Sequence, residues 1–95
     1  MDISKPEARL KKLRMRSWRR GMKEMDLILG PFADTQLATM RDADLDAYET
    51  LLDENDQDLY LWVTGAVPCP EHLSPMILII AQAAGVGRSA EKTAD

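Results

Sequence analysis

The sequence predicts an all-α fold: a compact five-helix bundle in a single small domain. Three observations carry that expectation. The chain is 45% apolar, a fraction supplied by Leu, Ala, Met and Ile rather than by Val and aromatics. Straight-chain and γ-branched side chains lose little rotamer freedom in a helix. Apolar residues also recur at intervals of three and four, the period of helices with one buried face. The one run that also reads as a strand, Met76 to Ala81, has no partner strand. Ninety-five residues make one core and not two. A domain of this size buries only about two thirds of the surface its unfolded chain exposes, so its stability margin is narrow.

The first helix starts at Pro6, a residue suited to a first turn because its missing N–H costs nothing there. It runs to about Trp18, with Leu10, Leu13 and Ser17 on one face. Gly21 interrupts the pattern. A second helix runs from Met22 with Met25, Ile28 and Leu29 as its inner stripe, and is expected to close at Gly30-Pro31. Phe32 and Leu37 continue the apolar surface in a shorter helical piece beyond the proline. Asp42 is the expected N-cap of the next helix, where Leu45, Tyr48, Leu51 and Leu52 repeat at helical spacing. Asn55 and Asp56 break it, and Asp56 is placed to cap a further helix with Leu59, Trp62 and Val63 inward. Gly65 then falls at the C′ position, and Pro68 and Pro70 enforce a non-helical connection. The last helix begins at Pro70 with a kink at Pro75, or at Pro75 with Ser74 as its cap. It carries Met76, Ile77, Ile79 and Ile80. Gly85 and Gly87 release a polar tail, so the single domain is expected to be ordered over about 5–84 and flexible over 85–95. The expected core includes Leu29, Phe32, Tyr48, Leu52, Trp62 and Ile79.

The net charge of −4 conceals an asymmetry: of 12 Lys and Arg residues, only Arg41, Arg88 and Lys92 follow Glu24. A basic N-terminal segment is thus joined to an acidic body. Such a segment suits nucleic acid, a membrane surface, a complementary protein, or the chain's own acidic body. The basic start leads into no apolar signal-peptide core, and Met76 to Ala81 is far too short to span a bilayer. An Arg-rich start is similar to a mitochondrial transit peptide, but Asp2 and Glu7 count against one. A soluble cytoplasmic protein without direct membrane insertion is the expectation. The single cysteine, Cys69, forms no disulfide framework and suits a reducing compartment.

Enzyme signatures are missing. Cys69 and His72 share a C-x-x-H spacing, but no second ligand pair accompanies them, so no metal site is expected. Neither a Walker nor a dinucleotide fingerprint occurs. Asp53, Glu54, Asp56 and Asp58 read as a solvated helix junction. The cations Arg9, Lys12, Arg16, Arg19 or Arg20, and Lys23 line one helix face, and Trp18 is available to stack on a base. A small nucleic-acid-binding regulator is therefore the alternative reading. No helix-turn-helix or comparable module supports it, and most of the molecule is acidic.

One stretch is more informative: Arg19-Arg20-Gly21-Met22-Lys23-Glu24-Met25-Asp26-Leu27. It resembles the Arg-Gly-x-x-Glu signature of the succinate dehydrogenase assembly factor family, the flavinylation factors of bacteria and mitochondria, and the chain looks most like their bacterial members. The setting strengthens the match. Phe32 follows in a Leu-Gly-Pro-Phe stretch, then come an amphipathic helix with Tyr48, Asp58-Leu59-Tyr60-Leu61-Trp62, and the Pro68-x-Pro70 turn. The resemblance covers Arg16 to Ala83 and departs at Pro75, where relatives run on helically.

The resemblance implies a five-helix domain that binds the flavoprotein subunit of succinate dehydrogenase, and often of fumarate reductase. It implies promotion of FAD attachment to a His of that subunit, with the bond-forming chemistry left to the flavin and its acceptor. The chain itself is then not an enzyme, carries no cofactor and is a monomer when free. The partner-binding residues implied are Arg19, Arg20, Gly21, Glu24 and Asp26. Arg20 would offer forked hydrogen bonds to partner carboxylates or carbonyls. Gly21 would permit close approach or supply a conformation closed to other residues, and Glu24 would orient Arg20 or pair with the partner.

Overall fold

The computed structural model describes residues 5–85, so the expected flexible tail lies outside them except for its first residue, Gly85. Among the described residues the order is α1 (Lys5–Trp18), α2 (Lys23–Gln36), a 3₁₀ turn (Leu37–Thr39), α3 (Asp42–Leu52), α4 (Asp56–Val63) and α5 (Ser74–Ala84). No strand occurs there, and the all-α five-helix expectation holds. Helix α2 is the hub, packed against α1, α4 and α5, while α3 closes the bundle against α1 and α5.

Helix α2 does not close at Gly30-Pro31. It continues through the proline to Gln36. Met25, Leu29, Phe32 and Ala33 are buried on both sides of that point, and their stripe stays in register only if the helix goes on. Proline in a helix interior costs about 3 kcal/mol, less than the burial of Phe32 and Leu37 together returns. Pro31 lies on the exposed face, where the carbonyl of Leu27, deprived of its amide donor, is not sealed in the core. Gly30 has a different reason. A Cβ there would stand 2.4–2.5 Å from ring carbons of Trp18, so the indole lies on bare helix backbone. Its Nε1 donates to Asp34 at 3.1 Å.

The caps also differ from expectation. Arg41 is the N-cap of α3 and makes no side-chain cap bond, while Asp42 and Asp44 fall in the first turn, where the helix dipole favours them. Asn55, not Asp56, caps α4 by accepting from the Gln57 amide at 2.8 Å. At the far end of α4 the expectation is met. Gly65 has φ +81, with Gly65 N–H donating to Trp62 O and Ala66 N–H to Leu61 O, the paired bonds of a Schellman stop. Helix α5 starts at Ser74, with Leu73 as N-cap and Pro75 in the first turn, and stops at Gly85 with φ +79.

Leu29, Phe32, Tyr48 and Leu52 are buried as expected. The Phe32 and Tyr48 rings stack with centroids 5.6 Å apart. Trp62 is only partly buried, packed on the edge of the core. Ile79 is 44% exposed. Leu73, Met76, Ile77, Ile80 and Ala81 form the inward stripe of α5, and an all-apolar run leaves its outward members, Leu78 and Ile79, facing solvent. Ser17 is the one buried polar side chain in the described core. Its hydroxyl donates to Leu13 O at 2.7 Å and lies 2.7 Å from Tyr48 Oη. Ser17 has one proton and gives it to the carbonyl, so Tyr48 is the donor between the two hydroxyls.

Candidate partner-binding site

The turn between α1 and α2 gathers the singled-out residues. It has no hydrogen-bonded ladder of its own, so side chains fix it. Arg20 Nε donates to Asp56 Oδ1 at 2.6 Å, Nη1 to Leu52 O at 2.8 Å, and Nη2 to Glu54 O at 2.9 Å. One guanidinium thus binds carbonyls at the C-terminal end of α3 and a carboxylate in the first turn of α4. Both helix dipoles favour that arrangement of charge. The Arg20 side chain keeps only 10% of its exposure. Its fork points inward, into the molecule.

Asp56 is used on both oxygens. Oδ2 accepts from the Gly21 amide at 2.6 Å, and a Cβ on Gly21 would stand 3.3 Å from that oxygen. Gly21 does not have a positive φ. Its smallness serves this close approach rather than an unusual backbone conformation. Asp26 Oδ1 accepts from the Arg20 amide at 2.7 Å, which ties the turn to the first turn of α2. The junction expected to be merely solvated therefore holds the anchor of the site. Asp56 and Asp26 pin the turn from two sides.

Arg19, Gly21, Lys23 and Glu24 are exposed. Arg19, Lys23 and Glu24 side chains make no hydrogen bond or ion pair among the described residues. Sequence spacing suggested that Glu24 could orient Arg20; the two do not meet, and Asp56 takes that place. A shallow groove continues from the turn along the outer face of α1, past Ala8, Lys11, Lys12, Met15 and Arg19. Met15 is 45% exposed there, an apolar spot among cations.

Arg16 and Arg20 line the same groove, and they, like Arg9 beside them, are neutralised internally. Arg9 pairs with Asp46 and Glu49, Arg16 with Asp53 at 2.8 Å, and Arg20 with Asp56. The partners lie 36, 37 or 40 residues further on, so α1 and α3 run in the same sense. Part of the charge asymmetry is therefore self-complementary, and the remainder faces outward.

Elsewhere the chemistry is sparse. Cys69 is half-buried, with Sγ 3.3 Å from Pro70 O, and burial pushes its thiol above the ordinary range. No group of three or more His, Cys, Asp or Glu able to hold a metal occurs among the described residues. No described helix is long and apolar enough to cross a membrane.

The family model described as "Flavinator of succinate dehydrogenase" matches residues 11–84, which include the whole turn and all its anchors. The chain belongs to the family of flavinators of succinate dehydrogenase. It is 40% identical over 73 residues to mitochondrial succinate dehydrogenase assembly factor 2 of Aspergillus flavus, covering 77% of this chain and 24% of that protein. The Mycosarcoma maydis protein of the same name is 38% identical over 69 residues, 73% of this chain and 29% of the relative. The Dictyostelium discoideum protein is 35% identical over 81 residues, 85% and 57%. The chain thus spans about a quarter of the first two relatives and somewhat over half of the third. These flavinator relatives are named assembly factors, in agreement with the expectation that the chain is not an enzyme. They are also named mitochondrial, which corrects the cytoplasmic expectation. Net charge and composition do not discriminate a mitochondrial protein from a cytosolic one.

Asp56 is the member of the site that sequence reasoning missed. Its partners lie 35 and 36 residues away, and no local spacing rule reaches that far. The available signal was a first-turn Asp beside a capping Asn, a pair in which only one carboxylate or amide is needed for the cap.

Proposed function

We propose that this chain assists assembly of succinate dehydrogenase in the mitochondrion by binding the flavoprotein subunit and promoting covalent attachment of FAD to it. The observation that carries the proposal is the family match over residues 11–84, which takes in the Arg20-Gly21-x-x-Glu24 turn. The flavin and its acceptor His supply the bond-forming chemistry. The factor contributes binding energy, holding the acceptor in a competent arrangement. Fumarate reductase, with the same flavoprotein chemistry, is a second target of the same surface.

The partner-binding surface is the edge of the turn that exposes Arg19, Gly21 and Glu24, with Arg20 and Asp26 as its inner members, extended by the cationic groove of α1. Glu24 and Arg19 are solvated in the free chain and gain charge-assisted hydrogen bonds when a partner excludes water. Lys11, Lys12 and Arg19 suit an acidic surface on the flavoprotein. A nucleic-acid role finds less support, since Arg9, Arg16 and Arg20 spend their charge on the chain's own carboxylates.

Calorimetric titration of the purified chain against the flavoprotein subunit tests this reading. Glu24→Ala is expected to weaken binding by about 1–3 kcal/mol while leaving the helical spectrum unchanged. Gly21→Arg should abolish binding, because it places a long charged side chain on the contact edge. Equal affinity of wild type and both variants would remove the turn from the interface.

A further inference from the structure

The exposed edge needs the turn held in one shape, and the residue that holds it stands far away in sequence. We infer that Asp56 is a positioning residue of the partner-binding surface, and that Arg20 serves the partner through Asp56 rather than by touching it. The inference rests on the functional reading above and refines it. Arg20 has three donors engaged by the α3–α4 junction and a side chain only 10% exposed. It has little left to offer a partner. Asp56 is 17% exposed and uses one oxygen for the Arg20 side chain and the other for the Gly21 backbone. It is the only described group that grips both neighbours at once. Asp26 fixes the preceding amide, that of Arg20 itself.

The consequence for presentation is direct. With the Arg20 guanidinium and the Gly21 amide on one carboxylate, the backbone of the turn is set before any partner arrives. Arg19 and Glu24 then project from either end of a fixed segment. Pre-organisation of this kind raises affinity by removing the ordering cost from the binding step. A lysine at position 20 has a single head group in place of a planar fork and cannot span the carboxylate and two carbonyls. An asparagine at position 56 keeps the shape but loses the charge that attracts both donors.

A double-mutant cycle separates this from direct contact. Arg20→Ala, Asp56→Ala and the double variant are titrated against the flavoprotein subunit, well below their melting temperatures. If Arg20 acts through Asp56, all three weaken binding by the same factor, about tenfold. If Arg20 also touches the partner, the double variant is weaker than Asp56→Ala by a further factor of about ten, and the inference is overturned. Arg20→Lys and Asp56→Asn repeat the comparison with smaller perturbations should an alanine variant fold poorly. Ile80→Val is the control for stability alone: it lowers the melting temperature and leaves affinity unchanged. In the free chain, the Gly21 amide resonance should move upfield in Asp56→Asn and stay in place in Glu24→Ala. An unmoved Gly21 resonance would also overturn the inference. Failure of the wild-type chain to bind at all would instead overturn the functional reading on which it stands.

Discussion

The Tyr48 phenol lies fully inside the bundle, stacked on Phe32, with its hydroxyl given to Ser17. Burial pushes its pKa from 10.0 up to about 12, with nearby Ser17, Arg20 and Arg16 opposing the shift. The sign of the pH dependence follows. Below pH 10 the phenol is neutral in both folded and unfolded chains, and its contribution is intact. Between pH 10 and about 12 the unfolded chain ionises first, so stability falls across that window by roughly 2–3 kcal/mol. In a Tyr60→Phe background, tyrosinate absorbance should stay low until that window is crossed or the chain unfolds. Ordinary phenol titration with the fold intact would contradict the buried placement. Ser17 was legible as an inward residue from its spacing with Leu10 and Leu13. Its bond to Tyr48 was not, because the two stand 31 residues apart.

At the scale of elements, the joint between α1 and α2 depends on a glycine inside a helix. Trp18 covers Gly30, with ring carbons 2.4–2.5 Å from where a Cβ would be, and its indole reaches Asp34. Gly30→Ala should therefore expel the indole. It is expected to destabilise by about 1–3 kcal/mol despite the better helix propensity of alanine. A red-shifted Trp18 emission in a Trp62→Phe background is the check. Unchanged emission and a higher melting temperature would mean the indole does not rest there. The number and order of helices were legible because apolar periodicity and Gly or Pro punctuation agree at most boundaries. They disagree at Gly30-Pro31, and there a buried stripe running from Met25 to Ala33 overrode the proline. The inward face of α5 was illegible for the opposite reason. Met76-Ile77-Leu78-Ile79-Ile80 is apolar all round, so it carries no phase, and only packing shows that Ile79 faces out.

In the whole molecule, charge is sorted by α1. Arg9, Arg16 and Arg20 pair with carboxylates of α3, α4 and the junction between them in a same-sense register, while Lys11, Lys12 and Arg19 are left to solvent in the groove beside the turn. The basic–acidic asymmetry was plain in the sequence, but which cations were committed was not, since that depends on the register of two helices separated by α2. The turn was legible as the candidate site because its residues carry a family pattern. Asp56, outside that pattern, became visible only when the fold brought α4 beside Gly21. The proposed outcome of binding is covalent FAD attachment to the succinate dehydrogenase flavoprotein. Its most direct test is flavin fluorescence of that subunit after denaturing electrophoresis, in cells lacking the native factor and supplied with this chain in the mitochondrion. The fluorescent band is expected to return with the wild-type chain and to stay absent with a folded Gly21→Arg variant. A band that stays absent with the wild-type chain, while the subunit and FAD are both present, would contradict it.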